Sequence, residues 1–286
     1  MSRHPKRVTV RLLGGLGNQL FSYAAARRLA LVNDAELRID HLSGFRRDGF
    51  QRQYALYNFN IPQNLVSESE LFVRSRICRG LLRKFSELLP FHLRPYLVET
   101  GNDFDERLVT LKLRRDVYLQ GYWQSERYFK DIEPQIREDL KIISKPSPEA
   151  LTVSRQIERA EAVGVHVRRM QIASPLPLTY YLRAAEYIMT CVDRPHFFIF
   201  SDFPDWVEKN LRFGAPINYV TQGLGDESGW IDLWLMSLCS HFIIANSTFS
   251  WWGAWLGMNP EKVVIYPSFS KNWGHVGLVP DAWVMI

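Results

Sequence analysis

The chain has 286 residues, 47% apolar and 23% charged, an ordinary globular balance that excludes a disordered or collagenous chain. Its 35 Lys+Arg against 30 Asp+Glu leave a net charge of +5, mild for a nucleic-acid binder, and the length suits one large domain or two modest ones. Aromatic residues reach 13%, with 9 Trp, 12 Tyr and 17 Phe. Such faces suit sugar rings and bases as well as cores, so packing is the first reading and ligand binding the second.

Val8–Leu13 is rich in β-branched residues and runs into Gly14-Gly15-Leu16-Gly17-Asn18-Gln19. Phe21, Ala24/Ala25, Arg28/Leu29 and Val32 then recur at helical spacing, and Glu36–Asp40 alternates as a second strand. The chain therefore opens as strand, glycine loop, helix and strand. Residues 41–65 are polar, aromatic and irregular. A basic helix is expected over Glu68–Leu89, with Leu71, Ile77, Leu81/Leu82, Phe85 and Leu88/Leu89 as one apolar stripe and arginines on the other faces. Val117–Leu119 reads as a strand, Ile132–Leu140 as a helix, and Ser144-Lys145-Pro146-Ser147-Pro148 as the clearest linker.

Beyond the linker, strands and helices alternate. Strands are expected at Val163–Val167, Phe197–Phe200, Ile217–Val220, Phe242–Ala245 and Val263–Tyr266. Between them fall helices at Tyr180–Cys191, Trp206–Leu211, Trp230–Cys239 and Phe249–Leu256. Short, wholly apolar strands between helices imply a parallel sheet covered on both faces, a Rossmann-like domain.

Basic residues gather at Arg46-Arg47-Arg52 and Arg74-Arg76-Arg79-Arg83-Lys84, without a Lys/Arg tail, and no nucleic-acid partner is expected. Cys78, Cys191 and Cys239 form neither a metal spacing nor a disulfide framework and fit a reducing compartment. The N-terminal stretch lacks the signal-peptide pattern, and no apolar run reaches about 18 residues. A cytoplasmic location is expected. The basic helix offers a weak peripheral contact with an anionic inner membrane face, against the plainer reading of a solvated helix face.

In open α/β sheets, ligands sit beyond the carboxyl ends of the strands. After the first strand of the second half come His166, Arg168 and Arg169; after the second, Ser201 and Asp202. After the fourth comes Asn246-Ser247-Thr248-Phe249-Ser250, at a helix start. Two guanidiniums beside a Ser/Thr-capped helix N-terminus make an anion site, and two separate donor clusters suit a diphosphate better than one carboxylate. Taken singly, each feature reads as an N-cap or a surface ion pair. Together at one sheet edge, they favour the phosphate site.

The glycine loop lacks the third glycine of the dinucleotide fingerprint, since Leu20 stands there, and no Gly-Lys-Ser/Thr follows. It is a tight turn presenting Asn18 and Gln19, amides suited to donor or acceptor hydroxyls. Asp103-Phe104-Asp105 resembles the D-x-D that holds a cation in some sugar transferases, but no ligand cluster accompanies it, so no metal is expected. No G-x-S-x-G elbow is present to start a hydrolase triad.

Six blocks in order resemble glycosyltransferase family 11, the α-1,2-fucosyltransferases. They are Gly14–Phe21, Gly121-Tyr122-Trp123-Gln124-Ser125-Glu126, His166-Val167-Arg168-Arg169, Phe200-Ser201-Asp202, Asp232-Leu233 and Ala245–Leu256. Looser elements are similar to protein O-fucosyltransferases and α-1,6-fucosyltransferases. The resemblance implies an α/β, GT-B-like architecture of two Rossmann-like domains facing across a cleft. Residues 1–145 would form the acceptor-side domain and residues 146–286 the domain that binds GDP-fucose. It also implies inversion at the anomeric carbon, no metal or other cofactor, and a galactose-containing oligosaccharide or lipid-linked glycan as acceptor.

Carried over by position, His166 and Asp232 would contact guanine, and Arg168 would pair with the β-phosphate. Ser247, Thr248 and Phe249 would line the diphosphate, with Arg169, Asp202, Asn246 and Ser250 completing the donor site. Asn18 would reach toward fucose and the acceptor, and Gln19, Tyr122 and Trp123 would meet the acceptor sugar. One departure concerns the general base. The family continues its H-x-R-R with a small residue and Asp-Tyr, where this chain has Met170-Gln171-Ile172. Gln171 cannot ionise, which leaves Asp202 or Glu227 as base, or an oxocarbenium-like transition state that needs little base help. The alternative readings are a degenerate transferase that binds GDP-sugar or glycan without turnover, or a GDP-sugar transferase with a different acceptor linkage.

Overall fold

The computed structural model describes residues 5–71, 76–170, 174–220, 228–268 and 277–286. The chain divides into two compact units, residues 1–143 with 276–278 and residues 144–275 with 279–286.

Unit 1 runs β1 (Arg7–Arg11), α1 (Leu16–Leu31), β2 (Glu36–Asp40), α2 (Arg76–Glu87), β3 (Tyr96–Val98), α3 (Glu106–Val109), β4 (Val117–Gln120) and α4 (Glu133–Asp139). Its sheet is parallel throughout, in the order β2-β1-β4-β3. Central β1 buries Val8 and Val10, and α1 lies almost wholly inside, its Ala24, Ala25 and Ala26 allowing close approach. Ion pairs fasten that helix. Asp139 accepts from Tyr23 Oη at 2.7 Å and Arg27 Nε at 2.8 Å, and Asp131 accepts from Arg28 Nη2 at 2.7 Å.

Unit 2 runs α5 (Pro148–Glu158), β5 (Glu161–Val167), α6 (Leu178–Cys191), β6 (Pro195–Ser201), α7 (Pro204–Asn210), β7 (Ile217–Val220), α8 (Gly229–Ser237), β8 (His241–Ile243), α9 (Thr248–Leu256), β9 (Val264–Tyr266) and β10 (Val284–Met285). These strands are also all parallel, in the order β10-β9-β8-β5-β6-β7. The chain leaves β5 toward β6 and β7, then returns to place β8 on the other side of β5. The strand order therefore reverses between β5 and β8, where open α/β sheets bind their ligands. Trp251 and Trp252 are fully buried and Trp255 nearly so, packed among themselves and, through Trp251, against Trp283. By area each ring contributes roughly 4–6 kcal/mol, an upper value, so this aromatic block is core.

Four elements differ from the sequence reading. The helix expected over Glu68–Leu89 is a short 3-10 turn at Glu68–Glu70 followed by α2. Its apolar stripe faces outward, with Ile77 77%, Leu81 63%, Phe85 58% and Leu88 83% exposed. The inner face instead carries Arg79, Leu82 and Ser86, and Ser86 Oγ donates to the Tyr96 carbonyl at 2.7 Å. The linker runs straight into α5, because Ser147 Oγ accepts from Ala150 N–H at 3.1 Å while Pro148 occupies the first turn, where its missing N–H costs nothing. Strands β3 and β10 span only three and two residues, too short for periodicity to register.

Candidate active site

In unit 2, the loops after β5, β6 and β8 meet at the reversal point. β5 carries His166 in its last turn of pleat and delivers Arg168 and Arg169 just beyond its carboxyl end. Asp202 follows β6 and organises that corner. Its Oδ1 accepts from Arg169 N–H at 2.8 Å, and its Oδ2 accepts from Met170 N–H at 3.0 Å and lies 3.1 Å from Arg168 Nε. Both carboxylate oxygens are thus engaged with the loop after β5, Oδ2 holding Arg168 and Oδ1 the Arg169 N–H. Ser201 Oγ donates to the Val167 carbonyl at 2.9 Å, tying the two strand ends together. Arg169 lies with its guanidinium 3.8 Å above the Trp206 ring of α7, a cation–π contact that holds it to that side of the loop.

His166 is 4% exposed, and its ring centroid is 5.1 Å from that of Phe249. Burial, and then the Arg168 charge, pull its pKa down to about 3, so the imidazole is neutral. Its Nδ1 is buried without a hydrogen-bond partner, and so is Asn246 Oδ1, whose Nδ2 donates to the Ser174 carbonyl at 3.1 Å. Two orphaned polar atoms at one strand edge are costly unless a ligand satisfies them. Phe249 also lies beside the start of α8, 3.9 Å from where a Gly229 side chain would begin, and α8 carries the buried Asp232 in its first turn.

Ser247, Thr248 and Phe249 are partly exposed at the N-terminus of α9, where Ser247 makes no side-chain cap. Backbone N–H groups and the positive helix end face outward there. Ser250 differs from the expectation. It is fully buried, and its hydroxyl donates to the carbonyls of Ala245 and Ser247, which shapes the loop from within.

Unit 1 presents a second cluster at the carboxyl edge of its sheet. Gly14 sits at φ +76°, and a Cβ there would come 2.8 Å from Asn18 Nδ2, so only glycine fits. Asn18 is partly exposed, and its Oδ1 accepts from Gln124 Nε2 at 2.9 Å, which orients the amide. Tyr122 is half-buried beside Gly14.

Gln19 and Trp123 correct the sequence reading. Gln19 is 1% exposed; its Nε2 donates to the carbonyls of Gly14 and Gln53, and its Oε1 accepts from Ala55 N–H. It is a staple between two loops. Trp123 is 1% exposed and packed edge-on to Tyr128, with no face left for a sugar. Two residues that the sequence reading left unassigned matter here. Gln124 orients Asn18, and Glu99 accepts from Tyr122 N–H at 2.7 Å and Trp123 N–H at 2.8 Å, fixing the turn after β4. Gln124 stood inside a quoted motif, but its partner lies 106 positions away. Gln171 and Glu227 fall outside the described residues.

Asp105 caps α3 and pairs with Arg107 at 2.7 Å, a structural use of the D-x-D aspartate. Among the described residues, no group of three or more His, Cys, Asp or Glu is placed to hold a metal ion.

Two parallel-sheet Rossmann-like units and this loop cluster define a glycosyltransferase of GT-B-like fold. Residues 88–273 match the model of glycosyl transferase family 11, and the chain belongs to that family. It is 28% identical to an α-1,2-colitosyltransferase of Escherichia coli over 98% of both chains. It is also 28% identical to galactoside α-(1,2)-fucosyltransferase 1 of Aotus azarae, over 48% of this chain and 42% of that protein. A mutant FUT1 of Arabidopsis thaliana, solved with GDP, shares the fold at a TM-score of 0.54 and 16% identity, over 98% of this chain and 73% of that one.

Proposed function

We propose that the protein transfers fucose from GDP-fucose to the 2-hydroxyl of a terminal galactoside in a glycan, inverting the anomeric carbon without a metal. The observation that carries this reading is the β5/β8 edge, where an aimed guanidinium, an open helix N-terminus and two orphaned polar atoms stand together. Neutral His166, tilted beside Phe249, and Asp232 would take the guanine. Arg168 and the start of α9 (Ser247, Thr248, Phe249) would take the diphosphate, with Arg169 and Asn246 at its margins. In unit 1, Asn18, held by Gln124, would address the transferred sugar, and Tyr122 the acceptor.

In the step itself, the acceptor oxygen forms a bond to the anomeric carbon as the bond from that carbon to the β-phosphate oxygen breaks. The electron pair stays on the phosphate, and the acceptor proton leaves to solvent or a base. Charge therefore builds on the diphosphate, where fixed positive donors lower the barrier in the way a metal would elsewhere. A loose, oxocarbenium-like transition state that needs little base assistance fits a chain with Gln171 where the family has an acid.

A mass-spectrometric assay with GDP-fucose and a panel of β-galactosides tests the reading. Turnover of another nucleotide sugar, with none of GDP-fucose on any galactoside, would sink it. The colitosyltransferase relative supports a second reading in which the donor sugar is colitose, and the same assay run with a colitosyl donor separates the two. Peripheral contact with an anionic membrane fits the outward stripe of α2, beside which Lys84 is exposed. Among the described residues no helix is long and apolar enough to cross a membrane. Vesicle co-sedimentation lost on Leu81→Ser/Phe85→Ser substitution would support that contact; unchanged sedimentation would exclude it.

A further inference from the structure

Unit 1 holds a cavity of about 620 Å³ whose wall carries Arg11, Arg46, Arg47, Arg79 and Arg83, together with Tyr96. Ligand pockets usually measure about 300–1,000 Å³, so there is room for a substituted phosphate or diphosphate. The guanidiniums come from three separate places: the end of β1, the loop after β2, and α2. Close packing brings them together. Gly44 presses the loop so tightly on β1 that a Cβ there would lie 1.8 Å from the Leu12 carbonyl.

The wall is built, not merely crowded. Arg11 Nε and Nη2 donate to Ser43 Oγ and to the Ser43 carbonyl, each at 2.9 Å, and Nη1 donates to Gln120 Oε1 at 2.9 Å. Ser43 is itself held by Asp40, whose Oδ1 accepts from Ser43 N–H at 2.8 Å. Arg46 and Arg83 are braced by Glu68 at 2.7 Å and Glu87 at 2.8 Å. Those acids stand outside, and among the described residues no carboxylate lines the cavity. Burial and the neighbouring Arg79 charge lower the pKa of Arg11, the strain that a bound anion relieves.

We propose that this cavity is a second anion site, distinct from the donor loop, that takes a phosphate or diphosphate group. Five guanidiniums on one wall suit the several oxygens of such a group through paired, charge-assisted hydrogen bonds. Arg11 and Gln120 are the last residues of β1 and β4, so the cavity opens at the same sheet edge as Asn18. On the functional reading above, from which this last step follows, the phosphate is one carried by the acceptor.

The test uses the intact protein and pyrophosphate as probe. Calorimetry is run with GDP in saturating excess, so that the unit 2 loop is filled. We expect saturable binding that weakens with added salt and falls about tenfold or more in Arg47→Ala/Arg83→Ala, but not in Arg168→Ala. Both replaced side chains are exposed, so the fold should hold, and an unchanged circular dichroism melt checks this. Pyrophosphate affinity unchanged in the double variant overturns the site.

A galactoside bearing a phosphate at its reducing end is then compared with the plain galactoside. A lower KM for the phosphorylated form, lost in the double variant, supports the acceptor assignment. Equal KM values with pyrophosphate binding intact overturn that assignment and leave the anion as a separate molecule. If GDP itself fails to bind, the donor reading falls, while the variant comparison still reads the cavity.

Discussion

Replacing Arg168 by alanine separates chemistry from folding at the proposed diphosphate site. The lost guanidinium sits 3.1 Å from Asp202, and both side chains are partly exposed, at 28% and 18%. An ion pair so open to water is worth about 1 kcal/mol or less in stability. Asp202 keeps its two backbone donors, Arg169 N–H at 2.8 Å and Met170 N–H at 3.0 Å, so the loop should retain its shape. If Arg168 meets the charge that builds on the leaving diphosphate, its loss costs about 3–4 kcal/mol in the transition state, by analogy with removing an oxyanion donor. That corresponds to a fall in kcat of roughly two to three orders of magnitude. Steady-state kinetics with GDP-fucose, beside a thermal melt, give both quantities. Asp202→Asn, which leaves Arg168 present but poorly aimed, should fall between the wild type and Arg168→Ala in kcat. A kcat within threefold of wild type for Arg168→Ala, or a melt that drops far enough to explain the loss, refutes the reasoning.

Gln19→Ala should destabilise unit 1 by about 2–3 kcal/mol, because it removes the partner of the buried Gly14 carbonyl and of the part-buried Gln53 carbonyl and Ala55 N–H; denaturant unfolding measures this, and a loss under 1 kcal/mol contradicts the staple. Tyr122→Ala should raise the acceptor KM with little change in melting, whereas Trp123→Phe should lower the melt and leave the KM near wild type; the opposite pattern would reverse the assignment of the two rings. His166 has a folded pKa of about 3, below its ordinary 6.5, so the unfolded chain takes up the proton first. Its contribution to stability is intact above pH 6.5 and is lost as the pH falls toward about 3, by up to about 1.4 kcal/mol per pH unit. Unfolding free energies of wild type and His166→Phe between pH 7 and 4.5 should therefore diverge on the acid side, and parallel curves would count against a buried neutral imidazole.

The loop cluster of unit 2 was largely readable from local pattern. Arg168, Asp202 and Asn246–Phe249 each follow an apolar strand, with His166 near the end of the first, and in a parallel sheet every such loop emerges at one edge, so sequence order places them together. Exposure was not readable in the same way. Gln19 looked like a ligand amide and Ser250 like a phosphate donor, yet both are buried and bonded to backbone. A polar side chain at a loop serves equally to staple it or to face a ligand, and only its surroundings decide which. The same holds for α2, whose inner face carries Arg79, Leu82 and Ser86 because Ser86 reaches the Tyr96 carbonyl, while the larger apolar residues point outward.

The amino-acid sequence alone determined the family, the alternation of strands and helices, and the chemistry on offer at the strand ends, because each is written within a few neighbouring residues. The aromatic excess and the mild positive charge were sums, and tertiary structure gave each a place. Packing put Trp251, Trp252 and Trp255 into the core of unit 2 and removed Trp123 from any ligand. It also drew arginines from two distant clusters, with Arg11, onto one cavity wall. Strand order, the reversal between β5 and β8 and that convergence depend on contacts between residues far apart in the chain. Local sequence specifies the pieces, and burial of the shared core decides which of them meet.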